Sequence, residues 1–329
     1  MKILIRTLRE RLERYSDLAA LPADWELIFA EDERDTAKLL QLGGDADVLI
    51  TDPMKPNRAD LINAMPNLKL INSEGVGFNQ IDLEAARARG VYVCNSAGVN
   101  RQAVAEQAVL LMLMVLRRAV EGDAMVRAAR QQEAKDTWSQ QGIRELGDCT
   151  VGILGLGAIG EETARRLLAF GCRVCYWDAF PRTPEQEKAL GVERMELSEL
   201  LAVSDILSLH MAVNEDTANF MNAQRFAQCK DGVILINTAR GDLVDQQALV
   251  DALKSGKVAL AGLDCLFPEP VRPDNPLLHL PDELAHKVTF SPHLGGVTQQ
   301  AFRRANAGLW DNVRALEAGQ KPAHIVNGL

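Results

Sequence analysis

The sequence has no long apolar run. Its most apolar stretch, AVLLMLMVL from Ala108 to Leu116, covers nine residues, where a membrane-spanning helix needs about twenty. The amino terminus, MKILIRTLRERLER, offers three apolar residues before charge returns, too few for the apolar core of a secretory leader, so a cytoplasmic location is the expectation. Positive charge is also in short supply. Lys plus Arg number 36 against 45 Asp plus Glu, a net charge of -9, which leaves no broad basic surface for a nucleic-acid backbone or an anionic membrane. Neither is an expected partner. Cysteine and histidine are sparse, at six and five. Only Cys172 and Cys175 have a CxxC spacing, and they lie in the strand-like GCRVCYWD, where residues three apart point to opposite faces. Neither a zinc site nor a redox pair is expected there, no histidine has metal-ligand spacing, and no metal is predicted. Internal repeats and low-complexity tracts are absent.

What is present is a chain of 329 residues, 47% hydrophobic and 25% charged, long enough for two domains with cores of their own. In the first hundred residues the apolar runs KILIRTL, WELIFA, ADVLITD, LKLINSEG and VYVCN alternate with amphipathic segments such as DLEAARARG. Strands alternating with helices imply a parallel sheet covered on both faces. RQAVAEQAVLLMLMVLRRAVEGDAMVRAA follows, apolar nearly all round, and reads as one long buried helix; the next stretch, Arg130 to Asp148, is polar. At Thr150 the alternation restarts with six further strands: TVGILG, RVCYWD, DILSLH, GVILINT, LAGLDCL and VTFSP. A last helix, about Thr298 to Glu317, leaves this second unit and is expected to pack back on the first. The expected fold is α/β with two doubly wound parallel-sheet domains. Residues 101-297 form one, inserted into the other, 1-100 plus 298-329.

VGILGLGAIG contains Gly155, Gly157 and Gly160 in GxGxxG spacing, directly after an apolar run and before the helical AIGEETARRLLAFG. In that context Gly155 permits a tight turn, Gly157 lets a pyrophosphate approach a helix N-terminus, and Gly160 lets helix and strand pack closely. Asp178 ends the next strand 18 residues after Gly160, where its carboxylate accepts hydrogen bonds from ribose hydroxyls and repels a 2′-phosphate. NAD, or NADH, is therefore expected over NADP, with Arg182 the one nearby group that opposes this. Three later stretches each follow a predicted strand, at the edge where such sheets bind ligands: NTARGDLVD with Arg240, LDCLFPEP with Asp264 and Glu269, and FSPHLGG with His293.

Taken with SEGVGFNQID, NSAGVNRQAVAEQA and LHMAVNEDT, these motifs resemble, in order and over nearly the whole chain, the D-isomer-specific 2-hydroxyacid dehydrogenase family. That family includes D-3-phosphoglycerate dehydrogenases and glyoxylate or hydroxypyruvate reductases. Ala97 stands where a proline is common, HMAV replaces HxPL, and Asn79 replaces an aspartate. The resemblance implies a Rossmann cofactor domain inserted in a flavodoxin-like substrate domain. It puts the catalytic residues on Arg240, Glu269 and His293, and the backbone clamp for the substrate carboxylate on Val76 and Gly77, with Arg240 also binding substrate. It puts the cofactor contacts on the glycine loop with Ala158 and Ile159, on Asp178, on His210 and Thr217, on Thr238 and Ala239, and on Asp264 and Gly295, with Asp264 at the nicotinamide carboxamide.

Reduction of a 2-keto acid needs a hydride donor, a proton donor and a cation; NADH, His293 and Arg240 suit those roles, with Glu269 orienting the imidazole. The expectation is an NAD-dependent oxidoreductase acting on a small D-2-hydroxy acid and its keto acid, such as glyoxylate or hydroxypyruvate. One alternative is a short D-3-phosphoglycerate dehydrogenase. No regulatory domain follows Leu329, so serine feedback through one is not expected. A different class of alternative is a nonenzymatic NAD sensor akin to the related corepressors. Formate dehydrogenases have glutamine where Glu269 stands. A homodimer is expected through the apolar helix from Gln102 to Val120, with Trp138 either reaching the partner or packing locally.

Overall fold

Short continuous apolar runs set the first sheet. In the computed structural model, which describes Met1–Leu329, β1 (Lys2–Arg6), β2 (Glu26–Phe29), β3 (Val48–Thr51), β4 (Leu70–Ser73) and β5 (Tyr92–Cys94) pair in parallel in the order β2-β1-β3-β4-β5. Leu4, Leu49, Ile71 and Val93 face one core, with Leu39, Leu61 and Ile62 from the covering helices. The alternate residues Ile3, Ile5, Val48, Ile50 and Leu70 face a second core, with Leu309, Trp310 and Val313. Strands apolar on both faces require two covering layers. The second layer includes the last helix, Gln299–Glu317, capped by Thr298 and tied to the sheet where Asn312 Nδ2 donates to Asn72 Oδ1 at 2.8 Å. Residues Met1–Asn100 and Thr298–Leu329 thus make one compact unit, and Arg101–Val297 the other.

The second unit holds seven parallel strands: β6 (Thr150–Leu154), β7 (Arg173–Trp177), β8 (Glu193–Arg194), β9 (Ile206–Leu209), β10 (Val233–Asn237), β11 (Val258–Leu263) and β12 (Val288–Phe290). Their order is β12-β11-β10-β9-β6-β7-β8, so the winding reverses between β6 and β9. Such a reversal opens a crevice outside the strands' carboxyl ends, where doubly wound sheets bind ligands. All six expected strands are present. The unexpected one, β8, is a two-residue edge strand with both residues exposed, too short to carry a period. Cys172 belongs to one core of this sheet and Cys175 to the other, as strand alternation requires, and all six cysteines are free and buried.

The segment after Asn100 is not the single long helix expected. A helix spans Arg101–Leu116 and buries nine residues, a second spans Ala119–Arg127 and buries none, and Arg118 between them has φ 51°. The apolar pattern stops at Leu116 and two arginines follow, so there is no buried surface to carry the helix further. A third helix, Gln131–Gln141, lies in the stretch read only as polar and buries Ala134 alone.

Candidate active site

The glycine loop joins β6 to the helix Ala158–Ala169. Gly155 has φ 96°, in the left-handed region that favours glycine. A Cβ on Gly160 would lie 2.2 Å from Gly155 O, so only glycine lets helix and loop approach this closely. Gly157 differs: it is the helix N-cap, at φ -72°, and a Cβ there would meet nothing within 4 Å. The space in front of the helix N-terminus, with Ala158 and Ile159 opening its first turn, suits an anion. Asp178, at the end of β7, receives the Leu156 N–H on Oδ2 at 2.6 Å and the Phe180 N–H on Oδ1 at 2.8 Å. Arg182 Nη2 donates to Leu156 O at 3.0 Å and lies 3.3 Å from Glu161. The carboxylate therefore holds the glycine loop in place with lone pairs to spare, and the arginine beside it is already paired.

Two buried polar atoms at the carboxyl ends of neighbouring strands have no partner in the chain: Nδ1 of His210 after β9, and Oγ1 of Thr238 after β10. Orphaned polar atoms are costly unless a ligand completes them, and a dinucleotide's ribose and amide groups would do so. Burial brings the His210 imidazole down to about 4, so it is neutral at pH 7, with Nε2 2.9 Å from Ser208 Oγ. Thr217 Oγ1 donates to Ala212 O at 2.7 Å and shapes the loop after β9. The Ala239 N–H bonds to Asn237 Oδ1 at 3.0 Å. The open helix N-terminus, the carboxylate and the two orphaned atoms fit an NAD molecule.

The loops after β10, β11 and β12 bring together the charged groups singled out in the sequence. His293 Nδ1 is 2.7 and 2.8 Å from the two oxygens of Glu269, and its Nε2 has no partner in the chain. The side chains are 35% and 40% exposed, so the pair is reachable by a small molecule. The Glu269 loop is tied down at Phe267 O, which accepts from Gln246 Nε2 at 2.6 Å and Asn275 Nδ2 at 3.1 Å. Arg240 is half-buried and makes one side-chain hydrogen bond, Nη1 to Ala239 O at 2.7 Å, with no carboxylate against it. Gly241, next in the chain, lets this loop lie on Leu266 and Phe267: a Cβ there would sit 2.3 Å from Leu266 C.

Asp264 is 2% exposed. Its Oδ1 accepts from Ser291 Oγ and from the Leu294 N–H at 2.9 Å, and its Oδ2 from the Gly295 N–H at 2.8 Å. Its carbonyl accepts the His293 N–H at 2.9 Å. The residue thus fixes the turn that presents His293, itself at φ 55°. Ser291, Gln107 (Nε2 to Ser291 Oγ, 2.9 Å), Gln246 and Asn275 support the site and were not found in the sequence. Their partners lie 8 to 184 residues away, and no local spacing announces such contacts. In the other unit, Val76 and Gly77 occupy the half-buried loop after β4.

Comparison with known proteins agrees with this geometry. Residues 109–295 match the family model described as D-isomer specific 2-hydroxyacid dehydrogenase, NAD binding domain. A glyoxylate reductase of Korarchaeum cryptofilum is 35% identical over 99% of this chain and 96% of its own length. A D-3-phosphoglycerate dehydrogenase of Mycobacterium leprae is 37% identical over 95% of this chain, which spans 57% of that longer protein. Among solved structures, D-lactate dehydrogenase from Aquifex aeolicus, complexed with NAD and lactic acid, superposes with a TM-score of 0.82 at 28% identity, covering 100% of both chains. With a family model matched over more than half its length and a relative aligned end to end, the chain belongs to the D-isomer-specific 2-hydroxyacid dehydrogenase family, and the domain it shares with that model is the NAD-binding one.

Proposed function

We propose that the protein reduces a small unphosphorylated 2-keto acid, of the size of glyoxylate or hydroxypyruvate, to the D-2-hydroxy acid, and runs the reverse oxidation. The observation that carries the reading is the His293–Glu269 pair, closed at 2.7 Å beside an arginine free of any carboxylate. NADH, when bound, supplies the hydride. With Nδ1–H donated to Glu269, Nε2 is the nitrogen left to give a proton to the substrate oxygen during reduction and to take it back during oxidation. Glu269, with both oxygens on Nδ1, fixes the plane of the imidazole. Arg240 supplies a fixed positive charge for the carboxylate and polarises the carbonyl. The Val76 and Gly77 amides are assigned the carboxylate as well. Asp178 is assigned the ribose, and Asp264, through the lone pair it has left, the carboxamide.

The choice of substrate rests on the cations near the carboxyl edge of the first sheet. Arg11 is held by Glu74 and by Asp52 at 2.9 Å, Lys55 donates to Glu31 O, and buried Arg6 donates to Pro56 O and Asn57. Arg34 and Arg58, on the loops after β2 and β3, are exposed without a carboxylate partner, and no hydrogen bond holds either side chain in place, where a phosphate group would call for a fixed cation. Ranking glyoxylate, hydroxypyruvate, pyruvate and phosphohydroxypyruvate by kcat/KM tests this; a preference for the phosphorylated acid would favour a D-3-phosphoglycerate dehydrogenase.

A cytoplasmic homodimer completes the reading. Six free thiols suit a reducing compartment, and no helix is long and apolar enough to cross a membrane. The helices Ala119–Arg127 and Gln131–Gln141 bury almost nothing within their own unit and expose Val120 and Val126, and Leu110 is exposed on the preceding helix. A second copy would cover them. Trp138 packs on Gly122, where a Cβ would sit 3.5 Å from its ring, which supports local packing. Light scattering at micromolar concentration tests the dimer, and a monomer there refutes it.

A further inference from the structure

Five consecutive carbonyl groups, from the end of β4 through the loop after it, accept hydrogen bonds from just three residues. Ser96 Oγ donates to Ser73 O at 3.3 Å and Glu74 O at 3.1 Å, and the Ser96 N–H to Gly75 O at 3.0 Å. Asn95 Nδ2 donates to Val76 O at 2.8 Å, and Ser73 Oγ to Gly77 O at 2.7 Å. All three donor residues are buried: Ser73 is 0% exposed, Ser96 5% and Asn95 6%. The loop they hold is half-buried. A trans peptide is planar, so each carbonyl fixes the next residue's N–H on the opposite side. Holding Gly75 O, Val76 O and Gly77 O therefore turns the N–H groups of Val76, Gly77 and Phe78 outward together. None of these three amides has a partner in the chain. Successive amides turned one way make an anion-binding concavity.

We propose that Asn95 and Ser73 are positioning residues for the substrate carboxylate, and that the clamp has a third donor, the Phe78 N–H. Asn95 sets the Gly77 amide through Val76 O, and Ser73 sets the Phe78 amide through Gly77 O. Neither side chain touches substrate; each acts by preventing a peptide flip that would offer the anion a carbonyl oxygen instead of an N–H. This rests on the assignment of the Val76 and Gly77 amides to the carboxylate.

The test compares wild type with Ser73→Ala and Asn95→Asp. Ser73→Ala removes one hydroxyl from the core. Asn95→Asp keeps the shape but replaces the donor with a carboxylate that repels Val76 O. KM for the best 2-keto acid and the inhibition constant of oxalate should rise together, by about tenfold for Ser73→Ala and by more for Asn95→Asp, because charge-assisted hydrogen bonds are loosened. kcat should change by less than about threefold, a split that marks lost carboxylate binding, while in Ser73→Ala the NADH dissociation constant and Tm stay near wild type; Asn95→Asp, which buries a charge, should lose Tm as well. A general loss of structure would lower kcat and Tm as well. Unchanged KM and oxalate inhibition in an active Ser73→Ala enzyme overturn the inference, whether or not Asn95→Asp folds. A wild type that turns over no 2-keto acid overturns the functional reading on which it rests.

Discussion

Two glycines three residues apart, Gly157 capping the helix Ala158–Ala169 and Gly160 in its first turn, should fail in different ways. At Gly160 an added Cβ lies 2.2 Å from Gly155 O and 3.3 Å from Ile153 Cγ2, and the closer atom is backbone, which cannot turn aside. Overpacking of this kind costs about 3 kcal/mol at the upper end of its usual range. Alanine regains about 1 kcal/mol over glycine inside a helix, leaving a net loss of about 2 kcal/mol. For a unit of this size that lowers Tm by roughly 4–8 °C. At Gly157 the Cβ meets nothing within 4 Å and φ is -72°, so Gly157→Ala should cost no more than about 1 kcal/mol, the preference for glycine over alanine at an N-cap. Its methyl would nevertheless stand in the space assigned to the pyrophosphate. Thermal melts and NADH fluorescence titrations of both variants separate the two effects. Gly160→Ala should lose Tm and affinity together, and Gly157→Ala should lose at most about half as much Tm but at least about tenfold in NADH affinity, the scale of one displaced charge-assisted contact. Wild-type affinity in Gly157→Ala would refute the assignment of that space to the phosphates.

Asp178→Ala removes both the ribose acceptor and the group that holds Leu156 and Phe180 N–H, so binding of both nucleotides should weaken. The NADH-to-NADPH ratio of kcat/KM should still narrow by about tenfold; an unchanged ratio would leave the carboxylate a loop support only. Glu269→Gln keeps an acceptor for the His293 Nδ1–H but loses the charge, and kcat/KM for the keto acid should fall by about a hundredfold with NADH affinity intact. Adding His293→Gln should then cost far less than it does alone, because the pair acts as a unit; additive losses would separate them. Burial holds the His210 pKa at about 4, below its ordinary 6.5. The unfolded chain therefore binds more protons in that window, and His210 makes stability fall as pH drops from about 6.5 to 4, by on the order of 3 kcal/mol. Denaturant melts of His210→Asn should show a shallower acid slope than wild type; equal slopes would refute it.

The strands and the glycine loop were legible because their signals are local. Short continuous apolar runs such as KILI and VLI mark strands buried on both faces, and Gly155, Gly157 and Gly160 sit within one short stretch of sequence. The His293–Glu269 contact came from motif resemblance, since its members are 24 residues apart and no periodicity joins them. The break at Arg118 was missed because helix propensity continues through LRRAVEGDAM while the buried face does not. Ser291, Gln246, Asn275, Asn95 and Ser73 were missed for a related reason. Each is an ordinary polar residue whose importance lies in a carbonyl or carboxylate 4 to 27 residues away that no local spacing marks. Asp264 combines both cases: its place after a strand is readable, and its hold on the turn carrying His293 is not.

The chemistry assigned to this chain is transfer of a hydride from NADH to C2 of a keto acid, with delivery of the D-isomer. The most direct measurement uses NADH deuterated at the nicotinamide C4 with the best substrate of the panel other than glyoxylate, whose product is achiral, followed by chiral separation and mass spectrometry of the hydroxy acid. When the transferred position is labelled, the product should be a D-2-hydroxy acid carrying one deuterium at C2. An L-product, a product without deuterium from either labelled face, or no oxidation of NADH with any 2-keto acid would contradict it.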